Sequence, residues 1–291
     1  MPEKPYFCSI KTITSMIQTT PRVFIFDLDG TLLDTLGDLA ASVNYALAAN
    51  GMPQHSIDDV RRFVGNGVRL LMERAVPGGA SHPLFESAFA AFRSHYMEHS
   101  LDTTRPYDGI PEMLSALRRR GCRTAVVSNK FYAATQELCR HFFADTIEVA
   151  IGEHEAEGIR KKPAPDTVNE ALRLLGVGRE HAVYVGDSEV DVATAAASGM
   201  PCISVLWGFR DRAFLEQHGA TTFVRHPKEL ISLNSHNSHN SLTPTASPPA
   251  PLAGERGGYS LKAEIASPPA PLSLTPNPSP KERGVYSLKA E

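Results

Sequence analysis

Four short apolar runs punctuate the chain between Pro21 and Leu233: Val23 to Phe26, Thr124 to Val127, Ala182 to Val185 and Cys202 to Leu206. Each is rich in β-branched or aromatic residues, the pattern of a strand buried on both faces of a parallel sheet. Between them the apolar positions recur at helical spacing. Leu39, Val43 and Leu47 form one stripe that stops at Gly51, Met113, Leu114 and Leu117 follow Pro111 and stop at Gly121, and Val168, Ala171, Leu172 and Leu175 end at Gly176. Pro near the start and Gly past the end are the punctuation of a helix. Strands alternating with helices predict an α/β fold, a Rossmann-like, doubly wound parallel sheet with helices on both faces.

Polar residues follow the strands in clusters. The first run ends in Asp27-Leu28-Asp29-Gly30-Thr31, the second in Ser128-Asn129-Lys130 and the third in Gly186-Asp187-Ser188-Glu189-Val190-Asp191. Open parallel sheets bind ligands outside the carboxyl ends of their strands, so these distant clusters can meet in one crevice. Four aspartates there would repel one another unless a cation joined them. Hard carboxylate oxygens with no neighbouring His or Cys favour Mg²⁺, a metal that works with phosphate groups. Ser128 and the basic pair Lys161-Lys162 before Pro163 are suited to holding a phosphoryl oxygen.

Composition narrows the partners and trims the ends. The 291 residues carry 42% hydrophobic residues and a net charge of -3, without long basic runs. Small molecules are therefore the expected ligands, rather than nucleic acid or a membrane surface. Cys8, Cys122, Cys139 and Cys202 are scattered without metal-like spacing, and the 11 histidines show none either, as in a cytoplasmic protein with reduced thiols. Residues 1–20 lack the apolar stretch of a secretory signal, and Met16 offers an alternative start. From Asn234 the chain turns to Ser, Pro, Asn and Gly and repeats itself: SPPAPL occurs at 247–252 and 267–272, and ERGGYSLKAE at 255–264 returns as ERGVYSLKAE at 282–291. Such units supply no apolar face, so residues 234–291 are expected to be a disordered tail.

In order, DLDGTLLDT, SNK, KKPAPD and GDSEVD, followed by ASGMPCISVLWGF and HGA, resemble the motifs of the haloacid dehalogenase-like phosphohydrolase superfamily, and within it the bacterial phosphoglycolate phosphatase group. The resemblance spans Arg22 to Leu233. It implies that Asp27 is the nucleophile, forming an aspartyl phosphate, and that Asp29 is the general acid and base. It also implies Mg²⁺ held by Asp27, the backbone carbonyl of Asp29 and Asp187, with Asp191 behind them or acting through water. Ser128, Asn129 and Lys162, aided by Gly30 and Thr31, would bind the phosphoryl group. Lys161 is read as a surface residue, and Trp207 and Phe209 as packing beside the site. Asp191 has a second reading, as an acid favoured by the dipole at the start of the Ala-rich helix 192–198.

The segment from Thr35 to Pro106 interrupts the α/β rhythm and reads as helical throughout, the position of the family's cap. The expected organisation is a core of residues 21–35 and 106–233 with a helical cap of residues 36–105. Within the cap, Arg69 follows the Val64-Gly65-Asn66-Gly67 loop and is the candidate for reading a substrate carboxylate, with Arg62 behind it; an exposed helical arginine is the competing reading. The implied activity is hydrolysis of a small phosphorylated metabolite such as 2-phosphoglycolate, by a monomer or homodimer. A sugar-phosphate or nucleotide phosphatase, a pyrophosphatase, a β-phosphoglucomutase-like mutase and a non-catalytic phosphate-binding module are the alternatives. A metal-free dehalogenase would leave Asp29 and the acidic fourth motif without purpose.

Overall fold

The computed structural model describes residues 22–233; the first 21 residues, with Met16 and Cys8, and the repetitive tail lie outside the described residues. The strands are β1 Val23–Phe26, β2 Leu33–Asp34, β3 Arg105–Pro106, β4 Arg123–Phe131, β5 Val149–Glu153, β6 Ala182–Gly186, β7 Cys202–Val205 and β8 Phe223–Val224. Six of them form a sheet in the order β5-β4-β1-β6-β7-β8. All its pairings are parallel. From β1 the chain steps outward through β4 to β5, then returns to β6 on the other side of β1. The crevice at that reversal is where such sheets hold ligands.

The helices are α1 Leu36–Ala49, α2 Ile57–Phe63, α3 Val68–Ala75, α4 Phe85–His99, α5 Ile110–Arg119, α6 Tyr132–Phe143, α7 Asp166–Leu175, α8 Glu189–Ala197, α9 Arg212–Gln217 and α10 Lys228–Ser232. Alternate residues of β1 feed two cores. Phe24 and Phe26 pack with Met113, Leu114 and Leu138 on one face, and Val23 and Ile25 with Val168, Ala171 and Leu175 on the other. An every-residue apolar run is therefore the expected signature, because neither face of β1 meets water.

Helices α1 to α4 form a third cluster around Val43, Leu47, Met72, Phe92 and Tyr96. The chain enters and leaves this layer through the antiparallel ribbon of β2 and β3, where Leu33 faces Pro106 and Asp34 faces Arg105. Beside the ribbon, buried Asp38 accepts hydrogen bonds from the backbone N–H and hydroxyl groups of Thr103 and Thr104, at 2.5 to 3.2 Å, tying entry to exit. The expectation of helix throughout 35–106 is corrected here by the ribbon strand β3 and by non-helical linkers such as residues 52–56.

Three further corrections concern strands. β4 continues through Ser128-Asn129-Lys130 instead of ending at Val127, with a register shift against β5 between Val127 and Phe131. β7 ends at Val205 rather than at Leu206. β5 and β8 escaped the apolar-run criterion because β5 is a half-buried edge strand ending Gly152-Glu153 and β8 has two residues.

Candidate active site

Register brings the polar clusters together. Phe26 pairs with Val126 on one side and Val185 on the other. One step beyond, Asp27 stands level with Val127 and Gly186, and a second step brings out Ser128 and Asp187. The Asp27 N–H donates to the Val185 carbonyl at 2.9 Å, which carries the strand pairing up to the first acid. One carboxylate oxygen from each of Asp27, Asp187 and Asp191 then lies within 4.8 Å of the other two.

Two glycines allow the approach. Gly30 has φ +84° and any side-chain carbon there would collide with the Asp187 carboxylate; one at Gly208 would collide with Asp187 and the Gly30 carbonyl. The Asp187 carboxylate is oriented by the Thr31 hydroxyl, which donates at 2.9 Å, and by the Phe209 N–H, which donates at 2.7 Å. Trp207 anchors the same loop by donating its indole N–H to the Thr31 carbonyl at 2.9 Å.

Lys162 is the cation among these acids. Its Nζ lies 2.8 Å from Asp27 Oδ1 and 2.8 Å from Asp191 Oδ1, and its side chain is 2% exposed. Burial, followed by the Asp191 charge, pushes the Asp27 carboxyl well above the usual range, with Lys162 opposing. Burial and Asp191 push Asp187 up to about 7. Burial alone would lower the Lys162 ammonium, but Asp191 and Asp27 outweigh it and hold the group firmly charged. Burial beside a single ammonium favours the protonated forms of Asp27 and Asp187, and a divalent cation would stabilise their charged forms instead.

Asp29 belongs to a separate pair. Its Oδ1 accepts from the Thr35 hydroxyl at 2.6 Å and from Lys130 Nζ at 2.7 Å. Lys130 is itself buried and lies 4.7 Å from the ring centre of Tyr96 on α4. The two acids one residue apart in the sequence therefore face different lysines.

Several expectations change. The Thr31 hydroxyl donates to Asp187, and Thr31 is not among the residues lining the cleft. The Asn129 side chain is likewise engaged, accepting from the Lys162 N–H at 2.9 Å and donating to the Lys162 carbonyl at 3.1 Å, so it fixes the lysine backbone. Asp191 both starts α8 and joins the acid cluster. Its Oδ2 accepts from the Asp187 and Ser188 N–H groups and the Ser188 hydroxyl, a capping box, while Oδ1 faces Lys162. Ser128 lines the cleft and accepts from the Lys130 N–H at 3.3 Å. Lys161 lies outward, paired with Glu155.

The cleft is closed from above by Leu39, Val64, Gly65, Gly67, Val68 and Leu71 of the helical layer, and Arg69 is not among its lining residues. The Arg69 guanidinium is turned to Glu86 at 2.6 Å and to Glu73, and lies over the Phe85 ring. Arg62 pairs with Asp59 on the surface. Arg69 stands outside the lining and pairs with acids of its own layer, so Arg69→Ala should leave kcat/KM within about threefold and the thermal midpoint within about 2 °C. A tenfold loss in steady-state kinetics would return Arg69 to the substrate site.

Sequence reasoning passed over two cations that do line the cleft, Lys130 and Arg210. Lys130 was readable, since it completes the SNK cluster. Nothing in the local pattern around Arg210 distinguishes it from a surface arginine. Among the described residues, no helix is long and apolar enough to cross a membrane.

The comparisons with known proteins agree with this geometry. The phosphoglycolate phosphatase of Aquifex aeolicus (strain VF5) is 33% identical over 189 residues, covering 65% of this chain and 86% of the relative. The N-acetylmuramic acid 6-phosphate phosphatase of Pseudomonas aeruginosa is 31% identical over 214 residues, 73% of this chain and 94% of the relative. A crystal structure of a candidate phosphoglycolate phosphatase from Lactobacillus delbrueckii subsp. bulgaricus superposes with a TM-score of 0.71 at 35% identity, covering 74% of this chain and 99% of the other. Residues 24–205, from β1 through β7 and including every acid of the cleft, match the family model described as haloacid dehalogenase-like hydrolase, and the chain belongs to that family.

Proposed function

We propose that the protein is a Mg²⁺-dependent cytoplasmic phosphomonoesterase that hydrolyses a small phosphorylated metabolite, 2-phosphoglycolate in the first instance, by way of an aspartyl phosphate on Asp27. The observation that carries this reading is the buried convergence of Asp27, Asp187 and Asp191 at the carboxyl edge of the sheet, with Lys162 against Asp27 and Asp191. An oxygen-only donor set of desolvated acids suits a hard divalent cation. Asp27 and Asp187 would hold it with the Asp29 carbonyl, and Asp191 would support both Asp187 and Lys162 from behind. When bound, the cation would lower the repulsion between the Asp27 carboxylate and an anionic phosphoryl group.

The chain's own residues supply the rest. Asp27 Oδ2 is the oxygen not facing Lys162 and is the one to attack phosphorus, while the Ser128 hydroxyl donates to the phosphoryl oxygens and the Lys162 ammonium, held by Asp27, Asp191 and the Tyr184 hydroxyl, supplies positive charge beside them. Asp29, held by Thr35 and Lys130, would give its proton to the leaving alkoxide and later take one from the attacking water. Helices α1 to α4 act as the cap, excluding water and selecting the substrate through Leu39, Val64, Val68 and Leu71.

The substrate reading rests on the relatives named phosphoglycolate phosphatase. A second reading, a larger sugar phosphate, is favoured by the muramic acid 6-phosphate relative and by the lining itself. Lys130 and Lys162 face acids and Arg210 faces carbonyls, so none of these three cations is left over for a substrate carboxylate. The deciding experiment is kcat/KM with Mg²⁺ for 2-phosphoglycolate beside sugar 6-phosphates, nucleotides and pyrophosphate. A preference of about tenfold, or 1.4 kcal/mol in transition-state binding, decides between the two.

Metal binding should depend on pH through Asp187. Its carboxyl is raised from 3.8 to about 7, so between those values the folded chain holds a proton that the unfolded chain has released. Stability of the metal-free protein from this group is thus greatest below that window and is lost as pH rises through about 7. Mg²⁺ must displace the proton below that point and meets a carboxylate above it. The Mg²⁺-induced rise in thermal midpoint is therefore expected to grow from about pH 5.5 to pH 8. An increment independent of pH would remove Asp187 from the metal site.

A further inference from the structure

Arg210 belongs to the core by sequence, in the loop between β7 and α9, yet most of its hydrogen bonds go to the helical layer. Its Nη1 donates to the Arg61 carbonyl at 2.8 Å, and its Nη2 to the Val64 carbonyl at 2.6 Å and to the Arg62 carbonyl at 3.5 Å. These carbonyls belong to the C-terminal end of α2 and the residue that caps it, where backbone acceptors lack partners within the helix and the dipole favours a cation. The remaining direction, Nε, faces Glu189 of α8 at 3.4 Å. The side chain is 10% exposed.

Arg210 is also wired to the acid cluster. Its chain neighbour Phe209 donates to Asp187 Oδ2 at 2.7 Å, and Gly208 is pressed against Asp187 and the Gly30 carbonyl. Glu189 sits between Asp187 and Asp191 in the sequence. One loop thus holds an acid of the site with one residue and the helical layer with the next. What it grips leads directly into the Val64–Gly67 loop, which forms the roof of the cleft; a side-chain carbon at Gly67 would stand 3.5 Å from the Asn129 carbonyl. Other contacts between the layers are of a different kind, among them Lys130 of β4, 4.7 Å from the ring centre of Tyr96 on α4. Phe131 of β4 meets Phe89 at 6.5 Å between ring centres and Arg93 at 5.2 Å, an apolar and cation–π contact that tolerates sliding. Arg210 supplies directional hydrogen bonds from the core to the end of α2 and the roof of the cleft.

We propose that Arg210 is a positioning residue that clasps the C-terminal end of α2 and seats the Val64–Gly67 loop over Asp27 and Asp187, so that cleft closure and the placement of Asp187 are coupled. This rests on the reading of the cleft as a hydrolytic site for its consequence in kinetics, though not for the clasp itself. The alternative is that Arg210 reads an anionic group of the substrate. The geometry opposes it, because a guanidinium has five N–H donors and the Nε and both terminal nitrogens already face protein acceptors.

Arg-to-Lys substitution separates the two, since lysine keeps the charge and loses the planar fork. In the full chain without substrate, amide hydrogen exchange in residues 57–71 is expected to accelerate at least about tenfold in both Arg210→Ala and Arg210→Lys, with residues 23–26 and 182–186 unchanged. With the preferred phosphate ester from the substrate panel, kcat/KM should fall about tenfold or more in Arg210→Ala and recover less than threefold in Arg210→Lys. Unchanged exchange in 57–71 with full recovery by Lys overturns the clasp in favour of substrate recognition. Equal acceleration in the core strands overturns it in favour of a general loss of stability. The exchange arm needs no substrate, so an error in the substrate reading leaves it standing.

Discussion

Asp27→Asn is expected to lower kcat/KM by about four orders of magnitude or more while leaving the protein at least as stable as the native chain. The first half follows from chemistry: an amide oxygen is a far weaker nucleophile than a carboxylate, and loss of a nucleophile forfeits nearly all of the covalent route. The second follows from the surroundings. Burial and Asp191 hold the Asp27 carboxyl well above its usual range, which means that its charge is a cost to the folded state. Asn keeps the shape and an oxygen for Lys162 while removing that cost. Lys162 retains Asp191 as a charged partner at 2.8 Å. Phosphate release and thermal unfolding, measured on one preparation, check both halves. Retained activity in a folded variant would take the chemistry away from this cleft.

Lys162→Met should do the reverse and damage the fold itself. Among the described residues Lys162 is the ammonium that faces Asp27 and Asp191, at 2.8 Å from each, and all three side chains are at most 10% exposed. Removing it leaves buried carboxylates without their counter-charge, a change that costs about 3–5 kcal/mol when one partner of a buried pair is deleted. At about 2–4 °C per kcal/mol for a chain of this size, the thermal midpoint should fall by roughly 6–20 °C. The loss has a sign in pH. With the lysine gone Asp27 loses the charge that opposes its upward shift, the folded state binds a proton that the unfolded state has shed, and stability falls as pH rises. The deficit should therefore be larger at pH 8 than at pH 5, and Lys162→Met combined with Asp191→Asn should recover part of it. A midpoint within about 2 °C of native at pH 8 would show that the acids do not depend on Lys162.

Most of the core was legible because its causes are local. A strand covered on both faces has to be apolar at each position, so β1 and β6 stood out, and the helix stripes ending at Gly51, Gly121 and Gly176 stood out with them; all three glycines have φ between +65° and +74°. The acids were legible for a related reason: Asp27 and Asp187 follow apolar runs directly, and charges at that place have no packing role to explain them. β5 and β8 were not legible, since edge strands are half-covered or short and need no continuous apolar run.

The assignment of partners was decided only by the tertiary structure. Nothing in the spacing of Asp27 and Asp29 says that one faces Lys162 and the other Lys130, because each lysine arrives from a different part of the chain. The same holds for Thr31, Asn129 and Arg69, whose residue types suit ligand binding but whose donors are taken by Asp187, the Lys162 backbone and Glu86. Arg210 is the converse case, an arginine with no local signal that bridges two layers meeting only in the folded chain. Amino-acid sequence by itself determined the alternation of elements, the parallel sheet and the acids at its carboxyl edge, because burial and periodicity act over a few residues. Which polar group satisfies which was left to the fold, because hydrogen bonds and ion pairs are short-ranged in space and indifferent to distance along the chain.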